Sequence, residues 1–188
     1  QKVSTNEMGE LVMRKSSIGL TKSLWNDDKR YIDNYWSVIK DYWVHGDLAS
    51  RDADGHWYLH GRSDDTIKVS GKRIGPSELE SVIVKSGKAK EVAAVGIPDA
   101  NKGSKIILSI VPAENNDQKE SFFEDLVIKD LGKSFKPDKV IFVKDLPKTR
   151  NMKIMRRVIK SCLANQDPGD LSTLINPESL EEIRSHAI

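Results

Sequence analysis

Residues 45–55 read HGDLASRDADG and residues 61–74 read GRSDDTIKVSGKRI, and these two segments decide the fold. In the first, Asp52-Ala-Asp-Gly55 is a turn sequence of the Asp-Gly kind, which predicts a β-hairpin whose first strand stops at Gly46-Asp47. In the second, short apolar runs flank Ser70-Gly71, which predicts a smaller hairpin. The polar run Arg62-Ser-Asp-Asp65 separates the two hairpins.

Beyond the second hairpin, helix and strand patterns alternate. Pro76 followed by acidic residues is typical of a first helical turn, because proline suits that position and acids favour the positive end of the helix dipole. Apolar runs and helical spacings predict strands over Val92–Ile97, Lys105–Val111 and Lys139–Val143, and helices over Phe122–Gly132 and Ile154–Ala164. This order predicts a small α+β domain, a sheet with helices packed on it. Residues 9–14 alternate polar and apolar and predict one earlier strand.

Charge and composition exclude several classes of protein. Lys and Arg total 30 against 28 for Asp and Glu, so the net charge of +2 does not favour a nucleic-acid partner. No apolar run approaches the roughly 20 residues of a membrane span, and no signal peptide is visible, so we expect no membrane contact and a cytoplasmic protein. The single cysteine, Cys162, lies in an apolar-patterned run and is expected to be a packed thiol. Because the chain starts at Gln1 rather than at a methionine and its first clear segment, Gly9–Met13, is already strand-like, we interpret it as a fragment or an incomplete gene product.

Two further segments complete the pattern: LPKTRNMKIMRR at residues 146–157 and GDLSTLINP at residues 169–177. Together with the two opening segments, they resemble the AMP-forming acyl-CoA synthetases of the adenylate-forming superfamily, over nearly the whole chain. The last segment resembles the ending of acetyl-CoA and propionyl-CoA synthetases. An amino-acid adenylating or luciferase-like relative is the alternative within this superfamily, and the Ser-Thr-Leu tail argues for the acetate branch.

The resemblance implies a division of the chain and a two-step reaction. Residues 1–63 would be the β-rich end of a large N-terminal adenylation domain, residues 64–188 a mobile C-terminal domain, and Asp64 the hinge. An ordinary polar loop is the alternative for Asp64. The implied reaction activates a short-chain carboxylate with ATP, giving acyl-AMP, and transfers the acyl group to CoA. Mg²⁺ would arrive with ATP.

The same resemblance implies that this chain is inactive alone. The family's phosphate loop and acyl pocket lie in the large domain, and no comparable Gly/Ser/Thr-rich run occurs here. The missing N-terminal domain is therefore an expected partner. A non-catalytic nucleotide- or CoA-binding module is the alternative function.

Candidate nucleotide-binding residues follow from the same motif. Asp47 would accept hydrogen bonds from the ribose hydroxyls, a role that suits a carboxylate, whereas capping a turn is the alternative. Arg62 would bind the ribose and phosphate region, with a surface ion pair to Asp64 or Asp65 as the alternative. Arg73 would lie near the phosphate in the adenylation state.

Ser70 and Gly71 match the hairpin that lines the family's CoA pantetheine channel, where a glycine lets the thiol arm approach the backbone closely. The alternative is a simple tight turn.

Lys153 matches the family's adenylation lysine, whose ammonium would bridge the attacking carboxylate and the α-phosphate. The alternative is that the basic residues of 148–157 form only a solvated face. Asn151-Met152 stands where the family has Ser-Gly, so a positive φ at Met152 would cost about 1–2 kcal/mol.

Three histidines near the first hairpin raise the question of a metal site. His56 and His60 share one strand face if both lie in the strand, but four strand positions separate them by about 13 Å. We therefore expect no protein-bound metal from His45, His56 and His60.

Overall fold

The computed structural model describes residues 2–114 and 117–188, and it divides into two compact units, Gln1–Asp64 and Asp65–Ile188. The strands are β1 (Gly9–Met13), β2 (Trp43–Arg51), β3 (Trp57–Arg62), β4 (Ile67–Val69), β5 (Lys72–Ile74), β6 (Ala89–Asp99), β7 (Gly103–Pro112) and β8 (Lys139–Phe142). The α-helices are α1 (Asp28–Tyr31), α2 (Pro76–Lys85), α3 (Glu120–Leu131), α4 (Arg156–Leu163) and α5 (Ser179–Arg184).

The first unit contains an antiparallel sheet in the order β1-β2-β3. Strand β2 continues through Gly46-Asp47 to Arg51, so the expected stop at Gly46-Asp47 is wrong. Glycine and aspartate disfavour strands, but pairing with β1 and β3 carries the strand past them, and β2 shifts register against β3 between Leu48 and Ala49.

The segment between β1 and β2 contains helical structure that the sequence did not predict. Helix α1 begins after Asp27, whose carboxylate accepts a hydrogen bond from the Arg30 N–H at 3.1 Å. A π-helical turn, Ile32–Trp36, follows it directly. Tyr35 on this turn stacks on Trp43 of β2, with ring centroids 5.3 Å apart, so the short helix is held against the sheet by aromatic packing.

The second unit is built on a three-stranded mixed sheet. β6 pairs antiparallel with β7, and β8 pairs parallel with β7 after the crossover through α3. Alternate residues of these strands enter two apolar clusters on opposite faces. The first cluster includes α2, α3 and the β4–β5 hairpin, and the second includes α4 and α5. The α+β fold class is confirmed, and burial on both faces explains the continuous apolar runs.

Helix boundaries follow local chemistry. α2 begins at Pro76, and the Glu78 side chain accepts the Gly75 N–H at 3.1 Å, as the acidic first turn predicted. α4 begins at Arg156, two residues later than expected, because Ile154 pairs with Lys148 across a hairpin. Cys162 is buried within the second cluster, as expected.

Helix α5 was not predicted. Its Leu180 and Ile183 contribute to the second cluster. Within the described ranges, no helix combines the length and the hydropathy that crossing a membrane requires.

Candidate functional site

The first group of candidate residues surrounds the junction of β2 and β3. Asp47 lies opposite Arg62 in the strand register, and its carboxylate oxygens lie 2.7 Å from His45 Nδ1 and 3.7 Å from Arg62 Nη1. Arg62 also donates from Nε to Asp64 Oδ1 at 3.1 Å and from Nη1 to the His45 carbonyl at 3.3 Å. The ion pair between Arg62 and Asp64, which the sequence predicted as the alternative role of Arg62, is thus present. It links the candidate ribose-binding residue Arg62 to the candidate hinge residue Asp64.

Gly46 lies directly under the Arg62 guanidinium. Its φ is +83°, and a Cβ added there would lie 2.8 Å from Arg62 Nη2. Glycine is therefore required at this position for two reasons: the positive φ of the backbone and the close approach of the Arg62 guanidinium. The arginine covers this part of the strand because no side chain occupies the space.

The histidines have separate partners. His60 Nε2 lies 2.8 Å from Ser50 Oγ, and His56 Nδ1 lies 3.1 Å from Asp52 Oδ2. Potential ligand atoms of Asp52, Asp54 and His56 do lie within 4.8 Å of one another at the β2–β3 turn, a grouping that spacing of the histidines alone did not reveal. Desolvation raises the pKa of Asp52, but hydrogen bonds from the His56 N–H and the Tyr58 hydroxyl outweigh it, so the pKa lies below its ordinary value.

The second group lies on the β4–β5 hairpin. Ser70 and Gly71 have φ values of +49° and +80°, the two positive values of the tightest hairpin turns. The Ser70 N–H donates to the Lys102 carbonyl at 2.8 Å, which fixes the hairpin tip against the β6–β7 turn. Next to the tip is an open cleft of about 490 Å³, whose lining includes Lys133 and Lys136. Arg73 is exposed on β5, opposite Lys68.

Lys153 lies on a tight hairpin that we call the Lys153 hairpin, residues 148–154. Lys148 pairs with Ile154 at its base, and the Thr149 N–H donates to the Lys153 carbonyl at 2.9 Å. The Met152 N–H donates to the Thr149 carbonyl at 2.8 Å, and Met152 has φ +60°. This is a three-residue turn whose last position is left-handed, where glycine is the usual residue.

The basic residues of 148–157 fall into two groups. Lys148 is held by carboxylates of Glu91 and Asp145 at 2.7 and 2.6 Å, and Arg156 donates two hydrogen bonds to Glu80, at 2.7 and 2.6 Å. Arg157 donates hydrogen bonds to the carbonyls of Pro168 and Asp170. Arg150 and Lys153 are exposed and have no side-chain partner among the described residues. A uniformly solvated basic face is therefore not what the structure contains.

The held cations have raised pKa values. Burial lowers the pKa of Lys148, but hydrogen bonds to Asp145 and Glu91 outweigh that effect and raise it above its ordinary value. The hydrogen bonds to Glu80 raise the pKa of Arg156. Lys148 and Arg156 are consequently charged near neutral pH, and both are already paired with carboxylates.

Sequence reasoning missed the residues that support these candidates. In the sequence, Asn176 is only one residue of a segment that resembles the family's ending, yet it is buried and its side chain contacts the base of the Lys153 hairpin. The sequence raises His45 only as a possible metal ligand, whereas in the structure it pairs with Asp47. A signal for His45 was its position two residues before Asp47, which places both side chains on one strand face.

Comparisons with known proteins identify relatives of this chain. Residues 78–153 match the model of the AMP-binding enzyme C-terminal domain. The acetyl-coenzyme A synthetase of Methanothrix thermoacetophila is 40% identical over 182 residues, which are 93% of this chain and 28% of that protein. The propionate–CoA ligase of Escherichia coli is 37% identical over 189 residues, or 95% of this chain and 30% of that protein.

Solved structures extend the comparison to the fold. The acetoacetyl-CoA synthetase of Streptomyces lividans superposes with a TM-score of 0.86 at 23% identity, covering 98% of this chain and 29% of that one, and it supports the fold alone. The amide bond synthetase McbA of Marinactinospora thermotolerans gives a TM-score of 0.73 at 25% identity, covering 85% and 31%. The chain spans less than a third of the length of each of these four proteins. The chain is therefore similar to the C-terminal portion of acetyl-coenzyme A synthetases and propionate–CoA ligases, and residues 78–153 match the AMP-binding enzyme C-terminal domain.

Proposed function

We propose that this chain is the C-terminal part of an AMP-forming ligase that converts a short-chain carboxylate, ATP and CoA to an acyl-CoA. In the first step a carboxylate oxygen bonds to the α-phosphorus of ATP as the bond to pyrophosphate breaks. In the second step the CoA sulfur attacks the acyl carbon, AMP leaves with the carboxylate oxygen, and the thiol proton is released. The N-terminal domain would supply the acyl pocket and the phosphate loop, and the enzyme would act in the cytoplasm.

The observation that carries this proposal is the isolation of the Lys153 ammonium. Lys148 and Arg156, on either side of it in the sequence, are engaged by carboxylates, whereas Lys153 is exposed on a tight hairpin without a side-chain partner among the described residues. An exposed, unpaired ammonium can reach an anionic substrate without first breaking an ion pair. It would stabilise charge as it moves from the attacking carboxylate to the phosphate.

Asp47 and Arg62 are proposed to bind the nucleotide. Ribose hydroxyls would donate to Asp47, whose carboxylate is oriented by His45, and the exposed Arg62 would turn part of its guanidinium toward phosphate or ribose oxygens. Mg²⁺ would enter with ATP, bound mainly by phosphate oxygens and water. We assign no metal ligand of this chain to it.

The β4–β5 hairpin is proposed to serve the second step. Ser70 and Gly71 would line the pantetheine channel, where the absence of a side chain at Gly71 leaves room for the thiol arm. Arg73 would contact phosphate during adenylation. Asp64, where the two compact units meet in the sequence, would be the hinge that exchanges the two faces.

The test measures acid-dependent exchange of pyrophosphate into ATP by the full-length ligase, with acetate, propionate and butyrate. We expect Lys153→Ala to lower the exchange rate about 10²–10³-fold, as for the loss of one charge-stabilising contact. Lys160→Ala, which removes an exposed cation from α4, is the matched control and should retain wild-type exchange. Equal exchange rates in Lys153→Ala and the control would contradict the proposal.

A non-catalytic nucleotide- or CoA-binding module is the second candidate. The observation that favours it is the left-handed conformation of Met152, a strained residue beside the proposed catalytic lysine. Under this alternative no acid supports exchange, Lys153→Ala changes nothing, and calorimetry still detects binding of nucleotide or CoA.

A further inference from the structure

The base of the Lys153 hairpin is joined to a later part of the chain, residues 174–176. Thr149 pairs with Leu174, and the Ile175 N–H donates to the Lys148 carbonyl at 3.1 Å. These contacts add a short third segment beside the two arms of the hairpin. The hairpin therefore does not stand alone on the surface.

Asn176 lies at the centre of this junction, and every polar atom of its side-chain amide is used. Its Oδ1 accepts the Lys148 N–H at 3.0 Å, and its Nδ2 donates to Asp145 Oδ2 at 2.7 Å and to the Leu146 carbonyl at 2.8 Å. The residue is only 6% exposed. Buried hydrogen bonds of this kind specify one geometry, because each unsatisfied partner would carry a desolvation penalty.

The same junction contains a charged cluster. Asp145 accepts from Lys148 and from Asn176 through different carboxylate oxygens, and Lys148 also reaches Glu91 on β6. Asn176 thereby connects the hairpin base to the central sheet of the second unit. The ammonium of Lys148 is therefore already paired with the carboxylates of Asp145 and Glu91.

We infer that Asn176 is a positioning residue that sets the placement of Lys153 for adenylation, an inference that rests on the proposed function. The amide acts on the Lys148 and Leu146 backbone, the hairpin pairs Lys148 with Ile154, and the Thr149 hydroxyl accepts the Lys153 N–H at 3.2 Å. A loosened base changes where the Lys153 ammonium is presented. Displacements of about 1 Å at a reacting group can lower a rate about 10²-fold.

The experiment uses the full-length ligase and separates its two steps. Asn176→Leu keeps the branching and the number of side-chain heavy atoms and removes all three hydrogen bonds. We expect this variant to lower kcat of acid-dependent pyrophosphate exchange by about 10–100-fold, while thioester formation from supplied acyl-AMP and CoA stays within about threefold of wild type. Asn176→Asp retains the acceptor for the Lys148 N–H and should lie between Asn176→Leu and wild type.

Leu180→Ala is the matched control for stability, because Leu180 belongs to the same late segment but to the apolar cluster. If Asn176 had a purely structural role, Asn176→Leu would behave like Leu180→Ala. Both variants would then lose stability, and pyrophosphate exchange and thioester formation would fall in parallel. Unchanged exchange in Asn176→Leu would overturn the positioning role.

Hydrogen exchange of the amides in residues 148–154 gives a readout that needs no turnover. Protection should fall in Asn176→Leu and be retained in Leu180→Ala. Absence of acid-dependent pyrophosphate exchange in the wild type would overturn the proposed function, whereas unchanged amide protection in Asn176→Leu would overturn the positioning inference separately.

Discussion

At the scale of single residues, the chain places unusual backbone conformations beside its candidate functional groups. Gly46 and Met152 both have positive φ, one under Arg62 and the other next to Lys153. Glycine adopts this conformation without steric cost, whereas methionine does not. Positive φ is thus accommodated by glycine at position 46, whereas at position 152 it strains the methionine backbone.

Met152→Gly should stabilise the chain. Relief of about 1–2 kcal/mol of backbone strain is partly offset by about 0.5–1 kcal/mol of added entropy in the unfolded state, which leaves a net gain of about 0.5–1 kcal/mol. The side chain is 62% exposed, so little packing is lost. Thermal unfolding of the 188-residue chain measures the effect. Asn151→Gly, at a neighbouring position without positive φ, should instead lower the melting temperature, and an equal gain in both variants would refute the strain argument.

Lys148→Met should cost about 3 kcal/mol of the free energy of unfolding, because it leaves two carboxylates without their shared cation. The Lys148 side chain is only 8% exposed, whereas the side chains of Glu91 and Asp145 are 28% and 45% exposed, so water replaces the ammonium only in part. Urea unfolding at neutral pH measures the change. Lys160→Met, on the exposed side of α4, is the control and should change stability by less than about 0.5 kcal/mol.

Asp145 should make stability sensitive to acid. Burial raises its pKa, but hydrogen bonds from Lys148, the Leu146 N–H and Asn176 hold it below the ordinary value of 3.8. The folded chain therefore binds this proton less readily than the unfolded chain, so the stabilisation is complete above about pH 5 and is lost as pH falls through the folded pKa. Urea unfolding between about pH 3 and 6 should show a weaker acid dependence in Asp145→Asn than in wild type. Parallel pH profiles would argue against this contribution.

At the scale of elements, α2 and α4 are joined by one bidentate ion pair. Arg156 at the start of α4 donates two hydrogen bonds to Glu80 of α2, whose Oε1 also accepts the Ala94 N–H of β6 at 3.0 Å. The pair thus connects two helices and the edge strand between them. Such paired geometry is a specific property of the guanidinium group.

Glu80→Gln should destabilise the second unit by about 2–3 kcal/mol, since it leaves a partly buried arginine without its counter-charge. Arg156→Lys should also be unfavourable, because an ammonium cannot reproduce the two parallel hydrogen bonds. A double-mutant cycle with Arg156→Met, read by urea unfolding, isolates the coupling between the two side chains. A coupling energy near zero would show that the ion pair does not hold the helices together.

The sequence predicted the elements with strong local signals. The Ser70-Gly71 hairpin and α2 are set by their own turn and capping residues, and the apolar runs of β6, β7 and β8 have few alternatives to buried strands. α1 and α5 were missed because four and six residues carry little periodicity. α5 is held by tertiary packing of Leu180 and Ile183, which no local pattern reports.

For the candidate site, too, the sequence predicted some features and could not predict others. Residue types and spacing named Asp47, Arg62 and Lys153, but they could not reveal which cations were already paired. Arg156 and Lys148 find their carboxylates on distant parts of the chain, at Glu80 and Glu91. Such pairings depend on the sheet topology and become visible only in the folded chain.

At the scale of the whole molecule, the two proposed half-sites of the second unit lie on different hairpins. Ser70-Gly71 ends the β4–β5 hairpin, and Lys153 lies on the hairpin before α4. If the ligase uses them in different steps, substitutions at the two should have separable effects.

Gly71→Leu in the full-length ligase should therefore lower thioester formation from acyl-AMP at least about tenfold and spare pyrophosphate exchange. The added side chain occupies the space proposed for the thiol arm, and its positive φ adds strain. Gly87→Ala is the control for strain alone, because Gly87 has φ +69° and no atom within 4 Å of an added Cβ. Equal loss of both steps in Gly71→Leu would contradict the assignment of this hairpin to the second step.

The second apolar cluster collects side chains from Ala93 to Ile183 along the chain. During translation, β6, β7 and β8 therefore leave the ribosome with one apolar face that is covered by later residues, chiefly those of α4 and α5. A nascent chain that pauses between Val143 and Arg156 displays this face to the surrounding solution. Pausing in that interval prolongs the period in which chaperones bind the chain and in which it can aggregate.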